Sequence, residues 1–234
     1  MNNICIIPAR AGSKRIKNKN IKLFHGKPII YWTIKAAIES RCFSKIIVSS
    51  DSKKILKISE KFGAIKNKLR PKYLSKDKSS MDDVIKYELF REQKKNQVDN
   101  VCCLVATATL INPKDIKNSL KTLRNNNTDY VFSATTYDAP IQRYFFINKK
   151  NYLKKRKIEN LEKGSQELRK AYHDAAQFYW GSAKTFSSKI HIYNGKSIAY
   201  IIPSFKNIDI NEIEDWKKAE ALFAYFKKIK IIKN

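Results

Sequence analysis

No aspartate or glutamate occurs before Glu39. Arg10, Lys14, Arg15, Lys17, Lys19 and Lys22 therefore have no carboxylate beside them in sequence, and a polyanionic ligand would meet little competition from local ion pairs. The four cysteines, Cys5, Cys42, Cys102 and Cys103, lack a CxxC spacing and lie in or beside apolar segments. That spacing argues against a zinc site or a disulfide framework and marks them as reduced core residues. No apolar run approaches the roughly 20 residues needed to cross a bilayer. A signal-peptide pattern, internal repeats and low-complexity linkers are also missing, so a cytoplasmic protein without membrane attachment is expected. RRM-like, helix-turn-helix and zinc-finger patterns are absent too.

The charge is the most conspicuous quantity that is present: 48 Lys and Arg against 21 Asp and Glu, a formal +27. Such an excess would suit a nucleic-acid partner. The excess is mostly lysine, however, spread along the chain among Ile and Asn. The densest cluster, Lys149-Lys150 and Lys154-Lys155-Arg156-Lys157 around Tyr152, reads as a solvated loop. No nucleic-acid partner is expected. At 234 residues and 43% hydrophobic content the chain suits one α/β domain spanning 1–234, with an excursion at about 140–175.

Apolar periodicity supplies the element order. Residues 3–8 and 45–49 read as buried strands flanking a helix from Pro28 to Ser40. Helices follow over Ser52 to Phe62, closed by Gly63, and over Met81 to Lys94. Val101 to Val105 and Tyr130 to Thr135 read as strands, with a helix from Pro113 to Leu123 opened by Asn112 between them. Tyr144 to Ile147 is strand-like, the following basic residues lack periodicity, and Phe178 to Gly181 and Ser197 to Ile202 are again strands. A helix from Glu212 to Phe226 closes the chain, with Trp216, Ala219, Leu222 and Phe223 on one face. The alternation predicts a Rossmann-like, doubly wound, mostly parallel sheet.

The first βα loop is the candidate ligand site. Cys5-Ile6-Ile7 forms the strand, Pro8 ends it, and Gly12-Ser13 in a turn crowded with cations lets backbone N–H groups approach an anion. A loop at the carboxyl end of the first strand is where open parallel sheets bind ligands. The run Ile7-Pro8-Ala9-Arg10-x-Gly12-Ser13-Lys14-Arg15-x-x-x-Lys19-Asn20 resembles the signature of the CMP-sugar synthetases, cytidylyltransferases that activate sialic-acid-like sugars. Ile47-Val48-Ser49-Ser50-Asp51, Leu69-Arg70-Pro71 and Asp209-Ile210-Asn211 follow in that family's order. Pro140-Ile141-Gln142-Arg143, Ser165-Gln166-Glu167-Leu168 and the run from Ala171 to Trp180 resemble the branch that acts on pseudaminic acid; legionaminic or N-acetylneuraminic acid are the alternative substrates.

The resemblance implies that the anomeric hydroxyl of the sugar attacks the α-phosphorus of CTP and pyrophosphate leaves, with cations stabilising the developing charge. It implies that Arg10 and Lys14 grip the triphosphate and that Lys19 lies near the α-phosphate. Ala9, Gly12, Ser13, Asn20, Arg70 and Ser79 would complete the nucleotide site. Gln142, Arg143, Tyr172, His173, Asp174 and Gln177 would bind the sugar. His173 or Asp174 could be the general base, but neighbours along a strand face opposite ways, so the two are not expected to activate each other. Mg²⁺ would be held at Asp209 and at Asn211, which stands where the family has a second Asp. Strand alternation would put both on one face, and the amide would weaken the metal's affinity without abolishing activity. Asn211 could equally cap the last helix. Thr109 in place of a Pro and Ala176 in place of a Gly are further departures. The resemblance also implies a homodimer built on the excursion.

Overall fold

The computed structural model describes residues 1–76, 78–154, 163–193 and 195–229. Its main sheet contains β1 (Asn3–Pro8), β4 (Lys45–Ser49), β5 (Asn100–Leu104), β6 (Tyr130–Thr136), β7 (Tyr172–Ser182) and β8 (Ser197–Ile201), while β2 (Leu23–Phe24) and β3 (Lys27–Pro28) form a small hairpin. The strand order is β4-β1-β5-β7-β6-β8, with β7 antiparallel to both neighbours and every other pairing parallel. The helices are α1 (Ile29–Ser40), α2 (Lys53–Lys61), α3 (Met81–Gln93), α4 (Pro113–Asn125), the single turn α5 (Ala183–Ser187) and α6 (Ile213–Lys228).

Period-two alternation divides the core. Cys5, Ile7, Cys102, Leu104, Phe178 and Trp180 point to one face, where α1, α2 and α4 bring Ile30, Ile34, Ile55 and Leu120. Ile4, Ile6, Val101, Cys103 and Tyr179 point to the other, against Ile85 and Leu89 of α3 and Phe186 of α5. The cysteines are free thiols, with Cys5, Cys102 and Cys103 fully buried, as their apolar settings predicted. Asn112 caps α4 as the sequence suggests, accepting from Lys114 N; Ser52 likewise accepts from Ile55 N at the start of α2, and Ser80 forms a capping box with Asp83 at the start of α3.

A third apolar cluster lies outside the two faces. α6 lays Trp216, Ala219, Phe223 and Phe226 over the β2–β3 hairpin and the start of α1, together with Ile16 and Ile210. Phe24 meets Trp216 and Phe223 edge-on at 5.5 and 5.2 Å. Trp32 Nε1 donates to Phe24 O at 3.0 Å. This cluster ties the chain after β1 to the chain before α6.

Three expectations change. Tyr144 to Ile147 is not a strand: its side chains are exposed, and among the described residues no sheet edge lies alongside and only an isolated antiparallel bridge joins Ile147 to Leu153. β7 begins at Tyr172, well before the expected Phe178, because a bulge opposite Phe132 and Ala134 lets the strand continue through an irregular stretch. Residues 209–211 have no regular secondary structure and do not form a strand. Lys155, Arg156 and Lys157 of the basic cluster fall outside the described residues.

Candidate active site

β1 ends at Pro8 where the chain turns away to β4 on one side while β5 lies on the other, so the loop beginning at Ala9 opens at the point where the strand order reverses. Internal hydrogen bonds shape it. Ala9 N donates to Ser49 O at 2.8 Å, Ala11 N to Asp51 Oδ1 at 2.8 Å, Ser13 N to Ala11 O at 2.9 Å, and Asn20 Nδ2 to Arg10 O at 2.9 Å. The absence of nearby acids in sequence is thus partly undone by the fold, since Asp51 anchors the loop from the end of β4.

Above it lies a cavity of about 350 Å³. Arg10, Lys19, Arg70 and Lys76 line it as cations; Ser13, Asn20, Ser79, Ser80 and Thr107 add hydroxyl and amide groups, and Leu74, Met81 and Val84 an apolar wall. Among the described residues no carboxylate lines it. The fold therefore gathers Arg10, Ser13, Lys19, Asn20, Arg70 and Ser79 from among the residues singled out in the sequence. The others lie elsewhere: Ala9 is buried beneath, with its N–H spent on Ser49, while Gly12 and Lys14 are exposed on the loop and do not line the cavity. A Cβ at Gly12 would meet nothing within 4 Å, so the chain itself imposes no demand for glycine there. Lys76, Ser80 and Thr107 were missed, because the turn before α3 and the end of β5 carry no local phosphate-binding pattern.

Arg70 is only 4% exposed, its N–H donating to Ser50 O and its Nε to Ser75 Oγ at 3.2 Å. Burial lowers its pKa from the ordinary arginine value, with Asp51 and Glu88 opposing the shift. Thr109, in place of the expected Pro, donates its N–H to Thr107 O at 2.8 Å, a bond proline could not make.

Lys19 joins this cavity to the segment before α6. Its Nζ donates to Ile210 O at 2.7 Å. Burial pushes its pKa below the ordinary lysine value; Asp209 opposes the shift, and Arg15 and Arg10 reinforce it. Arg15 donates to Glu212 Oε1 and Asn211 Oδ1, both at 2.9 Å, so the cation that looked unpaired in sequence finds its carboxylate near the other end of the chain. Asn211 Nδ2 in turn donates to Asp209 Oδ2 at 2.6 Å, so the two side chains do meet despite the missing strand. The capping role does not fall to Asn211: Glu212 is the N-cap, and Asp215 accepts from Glu212 N and Asn211 N.

Among the described residues no cluster of three His, Cys, Asp or Glu side chains could enclose a metal ion. Asp209 and Asn211 are hard oxygen donors that fit Mg²⁺ of the kind that takes one or two protein oxygens and completes its shell with phosphates and water. For Asn211 to contribute, its oxygen must give up Arg15.

The proposed sugar residues occupy the same carboxyl edge of the sheet but none lines the nucleotide cavity. Tyr172 is half exposed opposite Thr136. His173 pairs through Nδ1 with Asp174 O at 2.9 Å, and its ring sits 4.7 Å from that of Tyr137. Asp174 Oδ1 accepts from Ala176 N and Oδ2 from the hydroxyls of Tyr179 and Tyr193, each at 2.7 Å. Burial, then the adjacent carboxylate, push both phenols well above the ordinary tyrosine value. His173 and Asp174 share no side-chain contact, as alternation predicted. Gln177 is buried, its Nε2 holding Lys206 O at 3.0 Å. Gln142 Nε2 donates to Arg169 O at 2.8 Å with its Oε1 buried and unpartnered, and Arg143 donates to Lys163 O at 2.9 Å.

A cytidylyltransferase family profile matches residues 4–231. This chain belongs to the cytidylyltransferase family. It is 38% identical over 224 residues to a pseudaminic acid cytidylyltransferase of Campylobacter jejuni, covering 95% of this chain and 97% of that one. It is 30% identical to a CMP-N,N'-diacetyllegionaminic acid synthase of Legionella pneumophila, covering 95% and 96%. The fold matches CMP:2-keto-3-deoxy-manno-octonic acid synthetase complexed with CTP at a TM-score of 0.73 and 15% identity, covering 96% of this chain and 99% of that structure. The cytidylyltransferase is thus a mostly parallel α/β nucleotidyltransferase fold over its whole described length. None of its described helices is long and apolar enough to cross a membrane.

Proposed function

We propose that this cytidylyltransferase transfers CMP from CTP to the anomeric hydroxyl of pseudaminic acid, giving CMP-pseudaminic acid and pyrophosphate. The observation that carries the substrate is the likeness, along almost the full length of both chains, to the Campylobacter jejuni pseudaminic acid enzyme. The cation-lined cavity at the end of β1, with no carboxylate among its described lining residues, supports the nucleotide half of the reaction. Arg10 and Arg70 hold the phosphates there, and Lys14 reaches them from the exposed loop. Lys19, braced on Ile210 O, aims its ammonium at the transferring phosphoryl group, where the developing charge needs a fixed cation.

Asp209, assisted by Asn211, would hold Mg²⁺, which when bound screens the triphosphate charge and orients the leaving pyrophosphate. Of the two candidates for the base, His173 fits better. Both oxygens of Asp174 are already committed to Ala176, Tyr179 and Tyr193, whereas His173 with Nδ1–H on a carbonyl keeps Nε2 as a proton acceptor. Tyr172, Gln142, Arg143 and Gln177 line or support the sugar side, and the enzyme works as a homodimer in the cytoplasm.

The likeness to the Legionella pneumophila enzyme favours legionaminic acid as the second reading. Measuring pyrophosphate release with CTP, Mg²⁺ and pseudaminic, legionaminic or N-acetylneuraminic acid in turn separates them. Pseudaminic acid is expected to give the largest kcat/KM; release with none of the three defeats the assignment.

A further inference from the structure

Two of the cavity's four cations, Arg70 and Lys76, come from outside the β1 loop. Lys76 lines it from the turn before α3 together with Ser79 and Ser80, as Arg10 and Lys19 do from the β1 loop. Lys19 is engaged by Ile210 O and Arg70 by Ser75, whereas the Lys76 side chain makes no hydrogen bond or ion pair among the described residues, its carbonyl alone accepting from Ser79 N. A lysine lining a cavity where the described residues place three other cations and no carboxylate is repelled unless an anion arrives. Four lining cations come close to the charge of about −4 on a nucleoside triphosphate near neutral pH.

Lys19 joins the cavity to residues 209–211, where the proposed metal pair holds a single carboxylate. Asp209 is paired with an asparagine at 211, and that amide oxygen accepts from Arg15. A divalent cation there meets one formal charge from the Asp209–Asn211 pair, while the bare triphosphate meets one repelling charge rather than two. Both departures move charge compensation in the same direction, from the metal toward the protein.

We propose that Lys76 is a triphosphate-binding residue and that, with Asn211 in place of a second carboxylate, the cavity binds nucleoside triphosphate without a divalent cation. The proposal rests on the cytidylyltransferase reading, and its test uses binding rather than turnover. Calorimetric titrations in EDTA at fixed ionic strength would use CTP, inorganic pyrophosphate and CMP against the wild type, Lys76→Gln, Lys72→Gln and Asn211→Asp. Lys72 lies in the same turn, is exposed and does not line the cavity, so Lys72→Gln removes an equal charge from the +27 total.

The wild type is expected to bind CTP in EDTA. Lys76→Gln should weaken CTP and pyrophosphate about tenfold, the scale of one charge-assisted contact, with CMP changed less than about twofold and Lys72→Gln close to wild type. Asn211→Asp should weaken metal-free CTP several-fold. No wild-type binding in EDTA, equal losses in Lys76→Gln and Lys72→Gln, equal losses for CMP and CTP, or unchanged metal-free affinity in Asn211→Asp would each overturn it. Pyrophosphate release by the wild type with Mg²⁺ and sugar is read separately, so failure of the binding proposal leaves the reaction assignment standing, and the reverse.

Discussion

A left-handed backbone at a residue bearing a Cβ persists only where its surroundings over-determine it, and Ala176, with φ +49°, is such a case. Asp174 Oδ1 takes its N–H, and Ser133 Oγ accepts from both Gln177 N and Phe178 N, so three hydrogen bonds hold the bulge in β7. The glycine that the resemblance leads one to expect at this position would meet the same bonds without the steric cost. Ala176→Gly is therefore expected to stabilise the protein by up to about 1 kcal/mol, since relief of the left-handed strain outweighs the extra freedom of glycine in the unfolded chain. At this chain length that amounts to about 2–4 °C in Tm; an unchanged or lowered melting temperature would show that the bulge carries no strain. Lys19 makes a second residue-scale prediction. Its folded-state pKa lies below the ordinary lysine value and the charged form is the useful one. Activity should therefore fall as pH rises through that depressed pKa, giving kcat/KM an alkaline limb below about 10.4. Lys19→Arg should shift the limb upward even if the rate drops, and a limb indifferent to this change would place the titrating group elsewhere.

α6 shows how an element outside the cavity is tied to the loop that lines it. Phe223 and Trp216 bury the hairpin's Phe24, and the same cluster includes Ile16 of the cation loop and Ile210 between the two proposed metal donors. Phe223→Ala should cost about 3–5 kcal/mol through the lost burial and the cavity left behind. Because the cluster joins the loop to residues 209–211, the surviving folded fraction should also need more Mg²⁺ for half-maximal rate; urea unfolding and a metal titration read the two effects, and a stability loss with unchanged metal demand would separate α6 from the site. The helix itself was legible in sequence, as were β1, α1, β4, α2, α3, β5 and α4, because each buries a face whose period is fixed by its own backbone. Tyr144 to Ile147 misled because a short run of aromatic and β-branched residues resembles a strand, but a strand also needs a partner edge, which sequence does not display. The cation loop was legible from Arg10 to Asn20 since its residues are consecutive. Lys76, Ser80 and Thr107 were not, since they reach the cavity only when the turn before α3 and the end of β5 converge on it.

At the scale of the whole molecule, the formal charge of +27 and the exposed apolar arm pull in opposite directions. Like charge keeps copies apart, whereas Phe145, Phe146, Tyr152 and Leu153 are 58–69% exposed in one short segment, closed on itself by Asn148 N to Tyr152 O and Lys154 N to Phe146 O. Burying those side chains against a second copy would remove several large apolar groups from water at about 25 cal/mol per Å². The lysines beside them, Lys149, Lys150 and Lys154, can keep their charged ends in solvent while their stems lie along the contact. The homodimer is therefore expected to form through this arm and to strengthen with salt, as screening weakens repulsion between the basic surfaces and leaves the apolar contact intact. Light scattering should give about twice the 27.2 kDa chain mass for the wild type and the single-chain mass for Phe146→Glu combined with Leu153→Glu. The arm begins where Gln142 and Arg143 are anchored to Arg169 O and Lys163 O. The monomeric variant should consequently keep its affinity for CTP but show a raised KM for the sugar. A wild type that scatters as a single chain at every salt concentration would remove the arm from assembly, and a monomer with an unaltered sugar KM would remove the partner from the site.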